Sequence, residues 1–275
     1  MTSGGATPGP MPRARRVQPA ILYGVATLGA LLIAWALATS AFALVAPRLL
    51  PSPAVVIERA ATLITTPFSG ATLAGHVVAS LQRWLIGVTF AVVLGIPLGV
   101  LLAWLPPLRA AVTPAFELLR FIPPFAWVPI AVLWFGASTT TQALVVFIAA
   151  FPACVINAQL GVGQVDPILQ RAAQVLGAGP LVTLARVVMP VAAPSAFTGV
   201  RIAVSNGWMA LVGAELIVGK QGLGFLISQG QNNDSVSTIF VGIVAIGLLG
   251  ALIDLALQKA QARILPWTPA AAGAR

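Results

Sequence analysis

Cysteine and histidine occur once each, as Cys154 and His76, and only six acidic residues are present among 275. A single thiol excludes an intrachain disulfide and any cysteine-based metal cluster. A single imidazole removes His-rich metal sites and most catalytic triads, and no cluster of carboxylates replaces them. Neither side-chain catalysis nor a resident metal is expected. Charge of either sign is scarce, at 8% of residues, where a soluble domain carries roughly a quarter. With 59% hydrophobic residues and a mean hydropathy of +0.97, that scarcity excludes a water-soluble globule. The solvent for most of the chain is lipid, and one compact membrane domain is the expected unit.

The net charge of +9 rests on 15 Lys and Arg. In a lipid-embedded chain, basic residues gather on the cytoplasmic side, so the excess reports topology and no nucleic-acid partner is expected.

Residues 1–16 are rich in Gly, Pro, Ser and Thr and carry Arg13, Arg15 and Arg16, the composition of a disordered tail. The uncharged stretch from Val17 to Pro47 exceeds the apolar region of a cleaved signal peptide and reads as a retained first span. Pro51 to Thr66 predicts a short interfacial helix with Val55, Val56, Ala60 and Leu63 on one face and Glu58 and Arg59 opposite. Trp84 to Leu108 predicts a second span, in which Gly95 and Gly99 form a small-residue pair around Pro97. Phe121 to Val165 is uncharged and too long for one crossing. A turn at Gly136-Ala137-Ser138-Thr139 divides it into a third span, beginning near Ala110, and a fourth ending near Leu160. Val191 to Ile217 and Ser235 to Leu257 predict a fifth and a sixth. The expected fold is all-α with six transmembrane helices: a cytoplasmic tail over 1–16, a membrane domain over 17–265, and a second cytoplasmic tail over 266–275.

With the amino terminus inside, Arg13, Arg15, Arg16, Arg109, Arg171, Arg186, Lys259, Arg263 and Arg275 face the cytoplasm, against Arg48, Arg59 and Lys220 outside. Both termini are therefore expected in the cytoplasm. Trp84, Trp104 and Trp134 are expected in interfacial aromatic belts.

Polar groups inside spans are functional candidates, because hydrocarbon penalises them unless they are paired or wetted. Glu117 and Arg120 share a helical face just before Pro123-Pro124, either as a structural ion pair or beside a translocation pathway. Arg201 is expected to snorkel to the cytoplasmic side. Asn206, with Ser205, Gly207 and Trp208, reads either as a pathway group or as an interhelical hydrogen bond. Glu215, toward the outer end of that span, gates a pathway or anchors a loop.

The inner segment from Gly161 to Met189 predicts two short helices separated at Gly177-Ala178-Gly179-Pro180, a compact pair suited to docking a partner. Within it, Arg171-Ala172-Ala173, Gly177 and Val187-Val188-Met189-Pro190 together resemble the EAA loop of ABC importer permeases, with the spacing kept. Similarity extends over nearly all of residues 51–265. The segments Gly95-Ile96-Pro97-Leu98-Gly99, Arg120-Phe121-Ile122-Pro123-Pro124-Phe125-Ala126-Trp127-Val128-Pro129 with Trp134-Phe135-Gly136, and Ala214-Glu215 with Gly222-Leu223-Gly224 resemble the nitrate, taurine and aliphatic sulfonate branch. The resemblance implies a type I (MetI-like) permease fold in the bacterial inner membrane. It implies a coupling helix, carrying Arg171, Ala172, Ala173 and Gly177 with Pro190 beyond, seated in a groove of an ABC ATPase subunit. It also implies ATP and Mg held by those partners with no cofactor in this chain, an extracytoplasmic solute-binding protein, a second permease copy as a homodimer, and import of a sulfonate, taurine or nitrate-like oxyanion. Arg171 departs from the family pattern, which has glutamate there, while the small residues are kept.

The chain has no P-loop of its own: Gly219-Lys220-Gln221 places Gln at the hydroxyl position and Ala214 where the first glycine belongs. The alternative of a self-sufficient secondary transporter or channel calls for an ion-coupling carboxylate at the midplane, and none is evident.

Overall fold

A computed structural model describes residues 17–41, 46 and 48–267. The expected tail 1–16, and the expected second tail from residue 268 on, lie outside the described residues. The chain divides into two compact units, Met1–Ile57 and Glu58–Arg275. In the first, α1 (Val17–Ala36) continues into a π turn, Leu37–Ala41, and Trp35 Nε1 donates to the Pro51 carbonyl at 3.1 Å. The helix α2 (Pro53–Thr65) starts in the first unit and ends in the second. Its buried residues are Val56 and Leu63, whereas Val55 is exposed. Arg59, expected on the outer face, instead lies half-buried, with its Nε donating to Thr238 Oγ1 at 2.8 Å.

The centre of the second unit is α3 (Leu73–Trp104), α6 (Thr139–Gly163) and α9 (Met189–Val218). In lipid the hydrophobic effect supplies little drive between helices, so close backbone approach through small residues does that work. On α3, a Cβ at Gly87 would stand 2.5 Å from the Ala143 carbonyl oxygen, and one at Gly95 2.7 Å from Cys154 Cβ. Gly99 abuts the Val155 carbonyl in the same manner. The Gly95–Gly99 pair is thus a packing surface for α6. Cys154 sits fully buried in this core with Ala91, Ala150, Ala203 and Leu211.

The described residues contain five helices long and apolar enough to cross a membrane, and a sixth crossing if one bent pair is counted. In that pair, α4 (Pro106–Arg120) and the stretch Pro124–Phe135 meet at 92°, with the break at Pro123-Pro124. Pro123 and Pro124 withhold amide donors, a 3-10 turn (Pro124–Trp127) follows, and α5 (Val128–Phe135) runs on along the new axis. The second span begins at Leu73 rather than Trp84, with Arg83 inside it. The last helix, α11 (Val236–Ile264), extends past the expected end, and a short α10 (Leu223–Asn232) precedes it.

The loop region also differs from expectation. The first short helix forms as α7 (Pro167–Val175), but the second, α8 (Pro180–Thr183), runs through a π turn (Leu184–Val188) straight into α9. The wide turn, closed by Met189 N donating to the Leu184 carbonyl, comes just before Pro190, whose ring clashes with the preceding turn at α spacing. The fifth span is therefore one helical run, Pro180–Val218.

Candidate functional site

His76, Ser80 and Arg83 lie one and two turns apart on α3 and carry a buried polar network. Glu215 of α9 is its centre and is fully buried. Ser80 Oγ lies 2.9 Å from both carboxylate oxygens and accepts from Leu223 N at 2.9 Å. Arg83 Nη1 is 3.0 Å from Glu215 Oε1 and also donates to the Gln221 carbonyl. Gly224 N donates to Glu215 Oε2 at 2.9 Å. His76 Nδ1 accepts from Gly222 N at 3.1 Å, which leaves Nε2 to donate to the Phe68 carbonyl at 3.1 Å. Gly222 has φ +126°, and any Cβ there would collide with the Glu215 carboxylate. The Glu215 side chain thus ties α3 to the start of α10, while Arg83 and His76 bond the 219–222 turn, the same turn that mimics the end of a P-loop. Sequence reasoning left out His76, Ser80 and Arg83, although their i, i+4, i+7 spacing was a readable signal.

A second site is an open cavity of about 640 Å³ formed where α4 and the 3-10 turn face α6 and α9. Phe116, Phe125, Trp127, Phe147 and Phe151 line it, and Arg120 and Asn206 contribute its polar groups. Glu117 pairs with Arg120 at 2.6 Å, both partly exposed. Trp208 is not part of this surface. Two residues along a helix point to nearly opposite faces, so Trp208 turns into the core, where its Nε1 donates to the Ile246 carbonyl at 3.2 Å. Its ring meets Trp84 edge-on at 6.0 Å, and Trp84 Nε1 donates to the Val204 carbonyl at 3.3 Å. The belt placement of Trp84 is thereby corrected; Trp134 is exposed. Arg201, expected to snorkel, pairs instead with Asp254 of α11 at 2.9 Å.

The third site is the loop. Asp166 Oδ1 accepts from Ile168 N at 2.8 Å and starts α7, with Pro167 in its first turn. The helix stops at Gly177, at φ +81°, where Ala178 N donates to the Ala173 carbonyl at 2.9 Å. Arg171 and Ala172 point outward, Ala173 is buried, and Pro190 is exposed in the first turn of α9. Val175 and Leu176 are each 87% exposed.

A family model described as "Binding-protein-dependent transport system inner membrane component" matches residues 95–266. The chain belongs to that family. It is 36% identical to the taurine transport system permease protein TauC of Escherichia coli, over 90% of each chain. Against the nitrate import permease protein NrtB of Synechocystis sp. the identity is 32%, again over 90% of each. Against the bicarbonate transport system permease protein CmpB of Synechococcus elongatus it is 34% over 91% of each. This permease is thus a multi-pass inner-membrane component of a binding-protein-dependent ABC importer, in the taurine, nitrate and bicarbonate branch. Its fold is the MetI-like permease fold, and its work is transport rather than catalysis. Family membership sets aside the self-sufficient transporter or channel.

Proposed function

We propose that this permease imports a small oxyanion, a sulfonate, taurine or nitrate-like solute handed over by an external binding protein, and that the 161–189 loop couples it to ATPase subunits. The observation that carries the coupling role is the pair Val175 and Leu176. Apolar side chains left almost wholly in the open, on a loop beyond the membrane helices, mark a surface that a partner covers. The relatives named for taurine, nitrate and bicarbonate support the substrate class, since all three solutes present a compact, oxygen-bearing anionic group.

Arg171 and Ala172 meet the ATPase from the outer face of α7, Ala173 and Gly177 set the helix and its stop, and Pro190 stands beyond them in the first turn of α9. Asn206 and the Glu117–Arg120 pair border the substrate route. Trp208 and Glu215, the other candidates for the route, are buried and bond within the bundle, Trp208 to the Ile246 carbonyl and Glu215 to Gly224 N. A second copy of the chain completes the route from the open side of the aromatic cavity. Both termini and the loop face the cytoplasm, and the tails 1–16 and 266–275 flank the 17–265 membrane domain.

Replacing Val175 and Leu176 together by Asp tests the assignment. The doubly substituted permease should insert normally yet lose co-purification with its ATPase and lose ATP-driven uptake of labelled taurine, nitrate or bicarbonate. Normal ATPase binding and uptake by that variant would place the coupling surface elsewhere.

A further inference from the structure

We propose that Arg201 and Ser205 of α9 form an oxyanion-binding cleft against α11, with Asp254 as the resident counter-ion that keeps binding weak. The cleft has a volume of about 320 Å³ and is lined by Thr198, Arg201, Ile202, Ser205 and Asp254. That is ample for a nitrate or for the head of a sulfonate or phosphate ester. At 1.5 Å per residue, Arg201 and Asp254 lie about 26 Å from the helix ends at Val218 and Val236. The pair therefore sits toward the loop-side boundary of a hydrocarbon layer about 30 Å thick.

An ion pair that only pinned α9 to α11 would be expected to turn inward and satisfy its own donors. This one does neither. The side chains of Arg201 and Asp254 are 36% and 44% exposed, and Arg201 Nε, buried, makes no hydrogen bond. Guanidinium carries five N–H donors, of which Nη2 reaches Asp254 Oδ1. Asp254 Oδ2 is already taken by Gln258 Nε2 at 2.7 Å, so the carboxylate cannot swing over to serve the rest of the guanidinium. Ser205 follows Arg201 by one helical turn and is exposed on the same side. The Thr198 hydroxyl is occupied as a donor to the Pro194 carbonyl, which makes Ser205 the second free donor of the cleft.

These groups favour an oxyanion, which takes hydrogen bonds from a guanidinium and a hydroxyl together. Asp254 competes with it for the same cation. The result suits a ligand that must leave again, since a conducting site has to bind well enough to fill and weakly enough to empty. Two sources share this chemistry: the imported anion on its way out, which rests on the function proposed above, and the phosphate of a lipid at the membrane boundary.

A thiol probe separates the outcomes. Cys154 is fully buried, so Ser205→Cys introduces the accessible thiol into the complete transporter, reconstituted with its ATPase. Its reaction with an anionic and a cationic methanethiosulfonate reagent should favour the anionic one. Arg201→Gln in that background should lower the anionic-to-cationic rate ratio about tenfold, and Asp254→Asn should raise it. Nitrate protecting the thiol identifies the imported anion as the source. Protection that instead appears on replacing phosphatidylcholine vesicles with phosphatidylglycerol identifies lipid phosphate. Either supports the cleft. A thiol that reacts with neither reagent, or a rate ratio indifferent to both substitutions, overturns it. Should Arg201→Gln fail to assemble, Asp254→Asn carries the test, because a purely structural pair predicts no rise. Absence of uptake by the unsubstituted transporter refutes the proposed function while leaving the rate ratio to judge the cleft.

Discussion

Arg83 Nη1 and Glu215 Oε1 stand 3.0 Å apart inside the bundle, joining α3 to α9, and both side chains are within a tenth of being closed to solvent. Neither charge has water to fall back on. Removing one partner of such a pair leaves the other uncompensated in a low-dielectric site, at a cost of about 3–5 kcal/mol. Arg83→Ala should lower the melting temperature of the detergent-purified permease markedly. Glu215→Gln, which keeps a side chain able to accept from Gly224 N, should cost less. Equal, small losses for both would mean that the pair anchors nothing.

Gly177 and Gly222 both have positive φ, yet their surroundings differ. No heavy atom lies within 4 Å of the Cβ position at Gly177, whereas at Gly222 the Glu215 carboxylate fills it. Gly222→Ala should therefore prevent stable folding, read as loss of a monodisperse species on size exclusion. Gly177→Asn should be accepted, since Asn enters the left-handed region more readily than other residues. Gly177→Val should leave the bundle folded and reduce ATP-driven uptake by disturbing the end of α7.

Asn206→Leu should reduce uptake about tenfold, the worth of one hydrogen bond to a charged solute, while the complex assembles normally. Transport rates on reconstituted vesicles decide this. Unchanged uptake in an assembled complex would shift the route to the Glu117–Arg120 side of the cavity.

Arg171→Ala should have little effect on uptake, because Ala173 and Gly177 rather than the charge fix the shape of the loop. Loss of coupled ATP hydrolysis in Arg171→Glu, restored by reversing an acidic residue of the ATPase, would show instead that charge is the main contact.

Gly99→Leu should abolish assembly, since the Val155 carbonyl occupies the space a side chain needs, while Gly163→Ala, with open space around it, should melt as the parent does. Matching melting curves for the two would refute the close α3–α6 approach.

The hydrophobic runs made the spans legible because lipid demands long uncharged stretches, and Pro123-Pro124 announced a break. Where charge was used to end a span, the reading failed. The uncharged run that opens at Trp84 leaves out Arg83, yet a cation sits inside a helix when a carboxylate from a residue 132 positions away meets it. That partner is a tertiary fact, invisible to local pattern. The same holds for Arg201, whose companion Asp254 lies on another helix. Trp84 and Trp208 found each other across the core for the same reason, whereas the Gly177 stop of α7 was readable because its cause is local backbone geometry.

The run Pro180–Val218 has a mechanical consequence. A helical rod of that length measures about 58 Å, so tilting it by about 5° at the loop sweeps its far tip through about 5 Å. Near that tip the Glu215 carboxylate accepts from Gly224 N in the first turn of α10. On the coupling role proposed for the loop, a push applied beside Gly177 would be carried to the far end of α9 along this single helical run.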